Sequence, residues 1–104
     1  MAFVLLLYQD AGYRDARQAA ERAAEYGRWA RTLPAPGEFV LGEPLADAAA
    51  VLPTPVADAR EPYGNLSGFF VVRERDFPSA IALARTCPHL KYGGRIIVLP
   101  VRGS

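Results

Sequence analysis

The stretch of sequence that decides the fold is "GFFVVRERDFPSAIALARTCPHLKYGGRIIVLPV", residues 68–101. The run from Phe69 to Val72 is apolar at successive positions, a pattern typical of a strand that is covered on both faces. It predicts a buried strand over residues 68–74. Asp76 then predicts the N-cap of a helix, which tolerates a proline in its first turn and ends at Pro88. The stretch therefore begins as a strand followed by a helix.

A last strand follows this helix, and a similar strand–helix pair opens the chain. The twin glycines 93–94 relax the backbone before a last strand, predicted over residues 95–101. The chain opens with another run that is apolar at both parities, residues 2–8, and this run also predicts a buried strand. Asp15 follows as the predicted cap of a helix over residues 15–33. The sequence thus predicts two strand–helix pairs.

The middle of the chain is less regular. "GEFVLGEPL" predicts a short strand around residues 39–41, and residues 49–52 are predicted to form a weak strand that is short or lies on an edge, because prolines follow it. The predicted order resembles a ferredoxin-like split β-α-β fold of the α+β class, and residues 1–104 are expected to form one domain. Right-handed crossovers would place both helices on one face of an antiparallel sheet.

One face of that sheet would then be uncovered, although the strands at residues 2–8, 69–72 and 96–99 are apolar on both faces. We therefore expect a homodimer in which two sheets pack face to face as a dimeric α+β barrel. The alternative is that the irregular middle segment folds over the open face of a monomer.

Composition narrows the classes of function. Twelve basic and eleven acidic residues give a net charge of +1, which is far from the basic balance that binds nucleic acid. The single cysteine forms no internal disulfide, and the apolar run at the N-terminus is too short for a signal core or a membrane span. A cytoplasmic protein without a nucleic acid or membrane partner is expected.

Five pieces of the chain resemble the YCII-related proteins, in the branch named for its DGPF motif. They are "FVLLLYQD", "GEFVLGEPL", "GFFVV", "DFPSAIALARTCP" and "YGGRIIVLPV". The resemblance covers nearly the whole chain in the same order. It implies a dimeric α+β barrel, with a pocket between the sheet and the first helix or at the subunit interface. Some members of the branch are encoded near, or joined to, alternative sigma factors.

The chain departs from that family at three places. The naming motif falls on residues 60–63, where only Pro62 and the aromatic Tyr63 resemble it. A histidine that is frequent before the helix-ending proline is replaced by Cys87. Members proposed as enzymes carry a histidine on the first helix with an acidic partner, and Tyr26 occupies that place here. The resemblance therefore does not carry a His–carboxylate mechanism over to this chain.

His89 is the candidate acid or base, because it is the only side chain with an unperturbed pKa near neutrality. Glu43, at the end of the short middle strand, is its candidate carboxylate partner. The alternative is a solvated surface histidine near a helix C-terminus, where positive charge is mildly favourable. Cys87 is interpreted as a small buried side chain. One cysteine and one histidine are too few for a structural zinc site, although two or three carboxylates could hold a harder ion weakly. Neither a metal nor a cofactor is expected.

Aromatic side chains form a second, looser set of candidates. Together with Glu43 and His89 they are predicted to line a mostly apolar ligand pocket, with Arg22 binding a carboxylate or phosphate at its mouth. The aromatic candidates are Tyr8, Tyr26, Trp29, Tyr63 and Tyr92. The alternative is that these rings fill the core and the dimer interface. The charged face of the first helix, where arginines and glutamates alternate at spacings of three and four, indicates solvated ion pairs.

Two functions follow from these observations. The first is a small homodimer that binds a small organic molecule and performs cofactor-free acid/base chemistry, with His89 or Tyr26 moving a proton. The second is a non-catalytic regulatory or protein-interaction module, with a possible link to sigma-factor-dependent transcription, which the missing first-helix histidine and the altered DGPF segment favour.

Overall fold

The computed structural model describes residues 1–13, 19–31, 39–46, 48–57 and 64–103. Its elements, in chain order, are β1 (Ala2–Tyr8), α1 (Ala19–Arg31), β2 (Phe39–Pro44), β3 (Leu66–Arg73), α2 (Phe77–Arg85), α3 (Pro88–Lys91) and β4 (Arg95–Pro100). The four strands form one sheet in the order β2-β3-β1-β4, and every neighbouring pair is antiparallel. This is the predicted ferredoxin-like α+β fold, with the helices packed on one face of the sheet.

Alternation along the strands divides the sheet into two faces. Phe3, Leu5 and Leu7 of β1 are buried, and they belong to one core with Phe70 and Val72 of β3. Val4 and Leu6, at the intervening positions, pair with Val71 and Phe69 on the opposite face. The buried set faces the helices, because the same core contains apolar residues of all three helical elements or their caps: Trp29, Ala80, Ala84 and Cys87.

Helix α2 begins where the sequence predicts. The Asp76 carboxylate accepts a hydrogen bond of 2.8 Å from the backbone N–H of Ser79, which is the arrangement of a helix N-cap. The helix ends at Arg85, and the separate turn α3 then starts at Pro88. The sequence predicts one helix that stops at this proline. Instead, the proline starts a further helical turn, because its fixed φ suits the first position of a helix.

The middle of the chain departs from the prediction more strongly. Strand β2 extends beyond residues 39–41 to Pro44, where it pairs with Gly68 of β3. The weak strand predicted over residues 49–52 is wrong, since the described residues 48–57 contain no strand. The predicted cap Asp15 and the residues beyond Arg31 that were expected to end the first helix lie outside the described residues.

The face away from the helices is apolar, as the double-sided pattern predicts. Leu41 of β2 and Leu99 of β4 belong to this face by their registers with Val71 and Val4. They are 46% and 45% exposed, respectively. None of the helices in the described ranges is both long enough and apolar enough to cross a bilayer.

Candidate functional site

A cavity of about 430 Å³ lies between α1 and the part of the sheet formed by β2, β3 and the end of β1. Its lining comprises Leu7, Gln9, Arg22, Ala23, Tyr26, Gly27, Ala30, Gly42, Glu43, Pro44, Ser67, Gly68, Phe69, Phe70 and His89. Ala23, Gly27 and Ala30 share one face of α1, because they are spaced four and three residues apart. Their lack of bulk leaves space between the helix and the sheet.

The floor of the cavity depends on a glycine in β2. A Cβ at Gly42 would overlap the ring of Phe70, so this ring lies directly on the β2 backbone. Phe70 also meets Trp29 of α1 edge to face, with ring centroids 5.1 Å apart. The indole Nε1–H of Trp29 donates to the Thr86 hydroxyl at 2.7 Å. Phe70 is therefore held on two sides and forms a rigid apolar wall.

His89, on α3, lies at the cavity and is 1% exposed. Its Nε2 is 2.8 Å from the backbone carbonyl oxygen of Tyr8, at the end of β1. A carbonyl oxygen only accepts hydrogen bonds, so Nε2 carries the proton. In a neutral imidazole, Nδ1 is then an acceptor. The end of β1 thus sets the tautomer of the histidine.

The acceptor nitrogen of His89 faces Tyr26. The Tyr26 hydroxyl is 3.2 Å from Nδ1, so in the neutral pair it donates its hydrogen to the imidazole. Tyr26 comes from α1 and His89 from the opposite end of the sequence, 63 positions later. The pair is a phenol–imidazole hydrogen bond in which one proton lies between two titratable groups.

Burial sets the protonation states of this pair. The pKa of His89 is lowered, chiefly because burial disfavours the imidazolium, although its bond to the Tyr8 carbonyl opposes this effect. The pKa of Tyr26 is raised, mainly by burial and also by the neighbouring Tyr13 hydroxyl. Both groups are therefore neutral at physiological pH, which makes His89 a base and Tyr26 its proton donor.

A positive charge lies beside the pair. Arg22, one turn before Tyr26 on α1, donates from its guanidinium to the Tyr13 hydroxyl at 2.8 Å. Its positive charge lowers the pKa of both Tyr26 and His89. At Tyr26 this effect opposes burial, which raises the pKa, whereas at His89 it adds to burial, which also lowers the pKa. The Tyr13 ring packs against the imidazole, with centroids 5.4 Å apart. Arg22, Tyr13, Tyr26 and His89 therefore form one polar cluster.

The twin glycines after α3 make room for this cluster. A Cβ at Gly94 would overlap the imidazole of His89. Gly93 has a φ of +83°, and a Cβ there would overlap the carbonyl group of Gly12. Side chains at either position would displace the loop after β1 or the histidine itself. The "YGG" segment is therefore a close-packing element beside His89.

A second set of contacts fastens α3 to α1. The Glu25 carboxylate accepts a hydrogen bond from the Tyr92 hydroxyl and one of 2.7 Å from the Lys91 ammonium. Glu25 and Tyr26 are neighbours on α1, and Tyr92 follows α3 directly. These contacts therefore hold His89 against Tyr26.

The structure places the predicted site residues in two groups. Tyr26, His89, Glu43 and Arg22 line the cavity. No hydrogen bond or ion pair joins the described Glu43 to His89, and Glu43 is exposed. The other group lies outside the cavity lining: Trp29 is buried in the core, Tyr92 packs beside Tyr13, and Tyr8 carries the Arg95 guanidinium over its ring. Tyr63 lies outside the described residues.

The alternative in which His89 is a solvated surface histidine is wrong, because the side chain is almost fully buried. Cys87 is 2% exposed, and burial raises its pKa to about 11, so its thiol is protonated and unreactive in the folded chain. Among the residues that the structure describes, no three His, Cys, Asp or Glu side chains are grouped as metal ligands would be.

Two residues of the site, Tyr13 and Phe70, were not predicted from the sequence. The parity of β3 was a usable signal for Phe70, since it shares a face with Val72. Tyr13 had no local signal, because its contacts are with residues on α1 and α3, which only the fold brings near.

The fold and the cavity define a class of protein: a small ferredoxin-like α+β chain with a cavity between its first helix and its antiparallel sheet. Among solved structures, the chain is similar to 5-chloro-2-hydroxyhydroquinone dehydrochlorinase (TftG) from Burkholderia phenoliruptrix AC1100, in complex with 2,5-dihydroxybenzoquinone. The TM-score is 0.57 over 100% of this chain and 96% of that chain, with 15% sequence identity. At this identity the likeness establishes the fold alone. No family model matches the sequence, and no curated protein matches it either.

Proposed function

We propose that the chain binds a small ring-bearing organic ligand in the cavity beside α1 and moves a proton on it through Tyr26 and His89. The observation that carries this proposal is the buried imidazole at the cavity, whose Nδ1 accepts from Tyr26 while Nε2–H is held by the Tyr8 carbonyl. A buried base with a fixed tautomer and a hydroxyl facing it is the arrangement of a proton-transfer site.

The proposed step moves protons only. An acidic O–H or C–H group of the ligand gives its proton to Tyr26 Oη as the proton of Tyr26 passes to His89 Nδ1. The ligand keeps the electron pair of the broken bond and becomes an anion, and the imidazole becomes an imidazolium. Burial lowers the pKa of His89, so the imidazolium is a strong enough acid to return the proton to another atom of the ligand. Such a step needs no redox partner or cofactor.

Three further observations support a ring-shaped ligand. The walls contain the ring of Phe70, and the cavity volume falls within the range of roughly 300–1,000 Å³ that is usual for small-molecule sites. TftG, whose fold is similar, was solved with 2,5-dihydroxybenzoquinone. We also place the chain among the YCII-related proteins, a proposal supported by the order of its strands and by the "YGGRIIVLPV" segment.

The test is proton exchange on a ring compound. In D2O, wild-type protein should accelerate deuterium incorporation at the ring carbons of 2,5-dihydroxybenzoquinone, observed by NMR. His89→Ala should lose roughly 10²-fold or more of that acceleration, which is the usual contribution of general acid–base catalysis. Tyr26→Phe should lose a similar factor, since it interrupts the proton path.

The matched control is Tyr8→Phe, which removes a phenol outside the cavity lining and keeps the backbone carbonyl that accepts from His89. Its exchange rate should equal that of the wild type. Full activity in His89→Ala would remove the histidine from catalysis. Failure of the wild type to bind this compound or any ring compound in a panel would refute the ligand-binding proposal.

The open apolar face of the sheet favours a second proposal about assembly. We propose that a second copy of the chain covers Val4, Leu6, Leu41, Val71 and Leu99, which gives a homodimer. The alternative function is a non-catalytic interaction module that offers this same face to another protein, including a component of sigma-factor-dependent transcription. A chain that is monomeric alone and binds no ring compound would favour that alternative.

A further inference from the structure

We infer that Tyr13 is a positioning residue of the proton-transfer site, because its ring covers the His89 imidazole and keeps water away from the base. This inference rests on the proposed function and assigns a further residue to the same site. Tyr13 belongs to the described residues and is not part of the cavity lining, so it acts on a ligand through His89 and not by contact.

The contact between the Tyr13 and His89 rings is close to an offset stack. The ring centroids are 5.4 Å apart, and the ring planes differ by 33°. The distance lies within the range of roughly 4.5–7 Å that paired rings adopt. Tyr26 instead meets the edge of the imidazole, where its hydroxyl is 3.2 Å from Nδ1. The two phenols therefore have different contacts with the histidine: Tyr26 bonds the reactive nitrogen, and Tyr13 packs on the ring.

The two rings differ in their exposure to solvent. His89 is 1% exposed, whereas Tyr13 is partly exposed. Because the rings are in contact, Tyr13 forms part of the layer between the imidazole and water. Removing the Tyr13 ring should therefore open a path for water to His89.

Three contacts fix the position of Tyr13 in the loop after β1. Its backbone N–H donates to the Asp10 carbonyl at 2.8 Å, and its hydroxyl accepts from the Arg22 guanidinium at 2.8 Å. Gly93 packs on the same loop, since a Cβ at this position would overlap the Gly12 carbonyl and lie 3.5 Å from the Tyr13 Cα. Tyr13 is therefore held at both its backbone and its hydroxyl, and its ring cannot leave the imidazole without breaking a hydrogen bond.

Burial is the main determinant of the base strength of His89, because it makes the largest contribution to the lowered pKa. The titratable and charged side chains that act on the imidazole, among the described residues, are Tyr26 and Arg22 of α1 and Tyr13 and Asp10 of the loop after β1. Arg22 lowers the pKa of His89 and Asp10 raises it, so these two charges oppose each other. A side chain that keeps water from the imidazole therefore controls its protonation.

The test separates the ring of Tyr13 from its hydroxyl. In Tyr13→Ala, the pKa of His89, measured by ¹⁵N NMR, should rise toward the ordinary value of about 6.5, because water reaches the imidazole and stabilises its charged form. The matched control Tyr13→Phe keeps the ring and should keep the pKa low. Both variants lose the acceptor of the Arg22 bond, so a difference between them belongs to the ring. Leu90→Ala, at an exposed position of α3, should leave the pKa unchanged.

A functional readout follows from the same titration. Deuterium incorporation into 2,5-dihydroxybenzoquinone requires a neutral His89, so its rate should fall below a midpoint pH that equals the pKa measured by NMR. In Tyr13→Ala this midpoint should move to higher pH by the same amount as the pKa of His89. A residue with a merely structural role would lower the rate at every pH and leave the midpoint in place.

If Tyr13→Ala does not fold, as circular dichroism would show, the wild-type protein still tests the contact. Nuclear Overhauser effects should connect the ring protons of Tyr13 with the carbon-bound protons of the His89 imidazole. Their absence would overturn the inference.

Equal pKa values of His89 in the wild type and in Tyr13→Ala would overturn the inference and leave the proposed function standing. An equal rise in Tyr13→Ala and Tyr13→Phe would overturn the role of the ring and assign the effect to the hydroxyl. A wild type that exchanges no deuterium, with a His89 pKa that rises only in Tyr13→Ala, would refute the proposed function while the cover of the imidazole by Tyr13 stands.

Discussion

At the scale of single residues, the hydrogen bond between His89 and the Tyr8 carbonyl determines which imidazole nitrogen can act as a base. The chain has one histidine, and its imidazole is bound at Nε2 by a backbone carbonyl and at Nδ1 by a phenol. A histidine in the same place without the Tyr8 carbonyl could adopt either neutral tautomer. With it, only Nδ1 is available as a base. The position of β1 therefore determines which atom of α3 can accept a proton.

The lowered pKa of His89 predicts a pH dependence of stability. The unfolded histidine takes up a proton below about pH 6.5, whereas the folded one does so only at lower pH. Between these two pKa values the unfolded chain binds more protons, so the free energy of unfolding should fall as the pH falls below about 6.5. One proton gives a slope of at most about 1.4 kcal/mol per pH unit.

Urea unfolding at several pH values checks this prediction, and NMR of the single imidazole supplies the control. The ring ¹⁵N signals should report a neutral Nε2–H tautomer at pH 6.5. A ring that titrates with an ordinary pKa in the folded chain, or a stability that is constant between pH 5.5 and 7, would contradict the assignment.

At the scale of elements, the site depends on how tightly three short segments pack. The turn α3, the glycines 93–94 and the loop after β1 meet around one imidazole. The pattern of "CPHLKYGGRIIVLPV", residues 87–101, predicts the end of a helix followed by glycines that lead into a strand. The glycines do lead into β4, but Pro88 starts α3 instead of stopping a helix, and this turn positions His89 between α1 and β1.

Gly94→Ala is expected to disturb this packing. The added methyl group would overlap the imidazole, which is buried and bonded on both sides and cannot move without breaking a hydrogen bond. The cost should be about 1–3 kcal/mol, as is usual for overpacking, and the ¹⁵N spectrum should lose the fixed tautomer. The control is Gly12→Ala, whose methyl group would lie 3.5 Å from the Gly93 carbonyl oxygen, an ordinary contact.

Contacts between α1 and α3 give another prediction. Tyr92 is buried and donates to the Glu25 carboxylate, so Tyr92→Phe should lower the free energy of unfolding by about 1.5–3 kcal/mol. Lys91 is bound to the same carboxylate, but its side chain is 53% exposed, and Lys91→Met should cost less than about 1 kcal/mol. Urea unfolding of both variants measures the difference. A larger loss in Lys91→Met would show that the ion pair, and not the buried phenol, fastens α3.

At the scale of the whole molecule, the sheet has two apolar faces, and the helices of the described residues pack on one of them. The helix face is filled by the core around Phe3, Leu5 and Val72. The opposite face includes Leu41 and Leu99, which are almost half exposed. An apolar sheet face of this kind is stabilised when another sheet covers it.

Leu99→Lys tests the proposed dimer. In a face-to-face dimer the new ammonium would be buried without a partner, so the dissociation constant should rise roughly 100-fold or more. The control Leu90→Lys changes a residue of α3 that is 38% exposed and lies on the helix side, and it should leave the dimer intact. Sedimentation velocity measures both variants. A wild-type chain that is monomeric at high micromolar concentration would refute the proposed interface.

The sequence by itself determined the order of the main strands and helices and the class of the fold. Runs that are apolar at both parities predicted β1, β3 and β4, and Asp76 predicted the start of α2, because these signals are local. The weak strand at residues 49–52 was wrong, since a short apolar run specifies a strand only when a neighbour pairs with it.

Only the tertiary structure decided what His89 is. Its partners, the Tyr8 carbonyl and the Tyr26 hydroxyl, are 81 and 63 positions away in the sequence, and Gly94 makes room for its ring. Tyrosine, histidine and glycine each have an ordinary local interpretation as core, surface and turn residues. Their role at the cavity arises from contacts between distant segments, and such contacts leave no periodic signal in a single sequence.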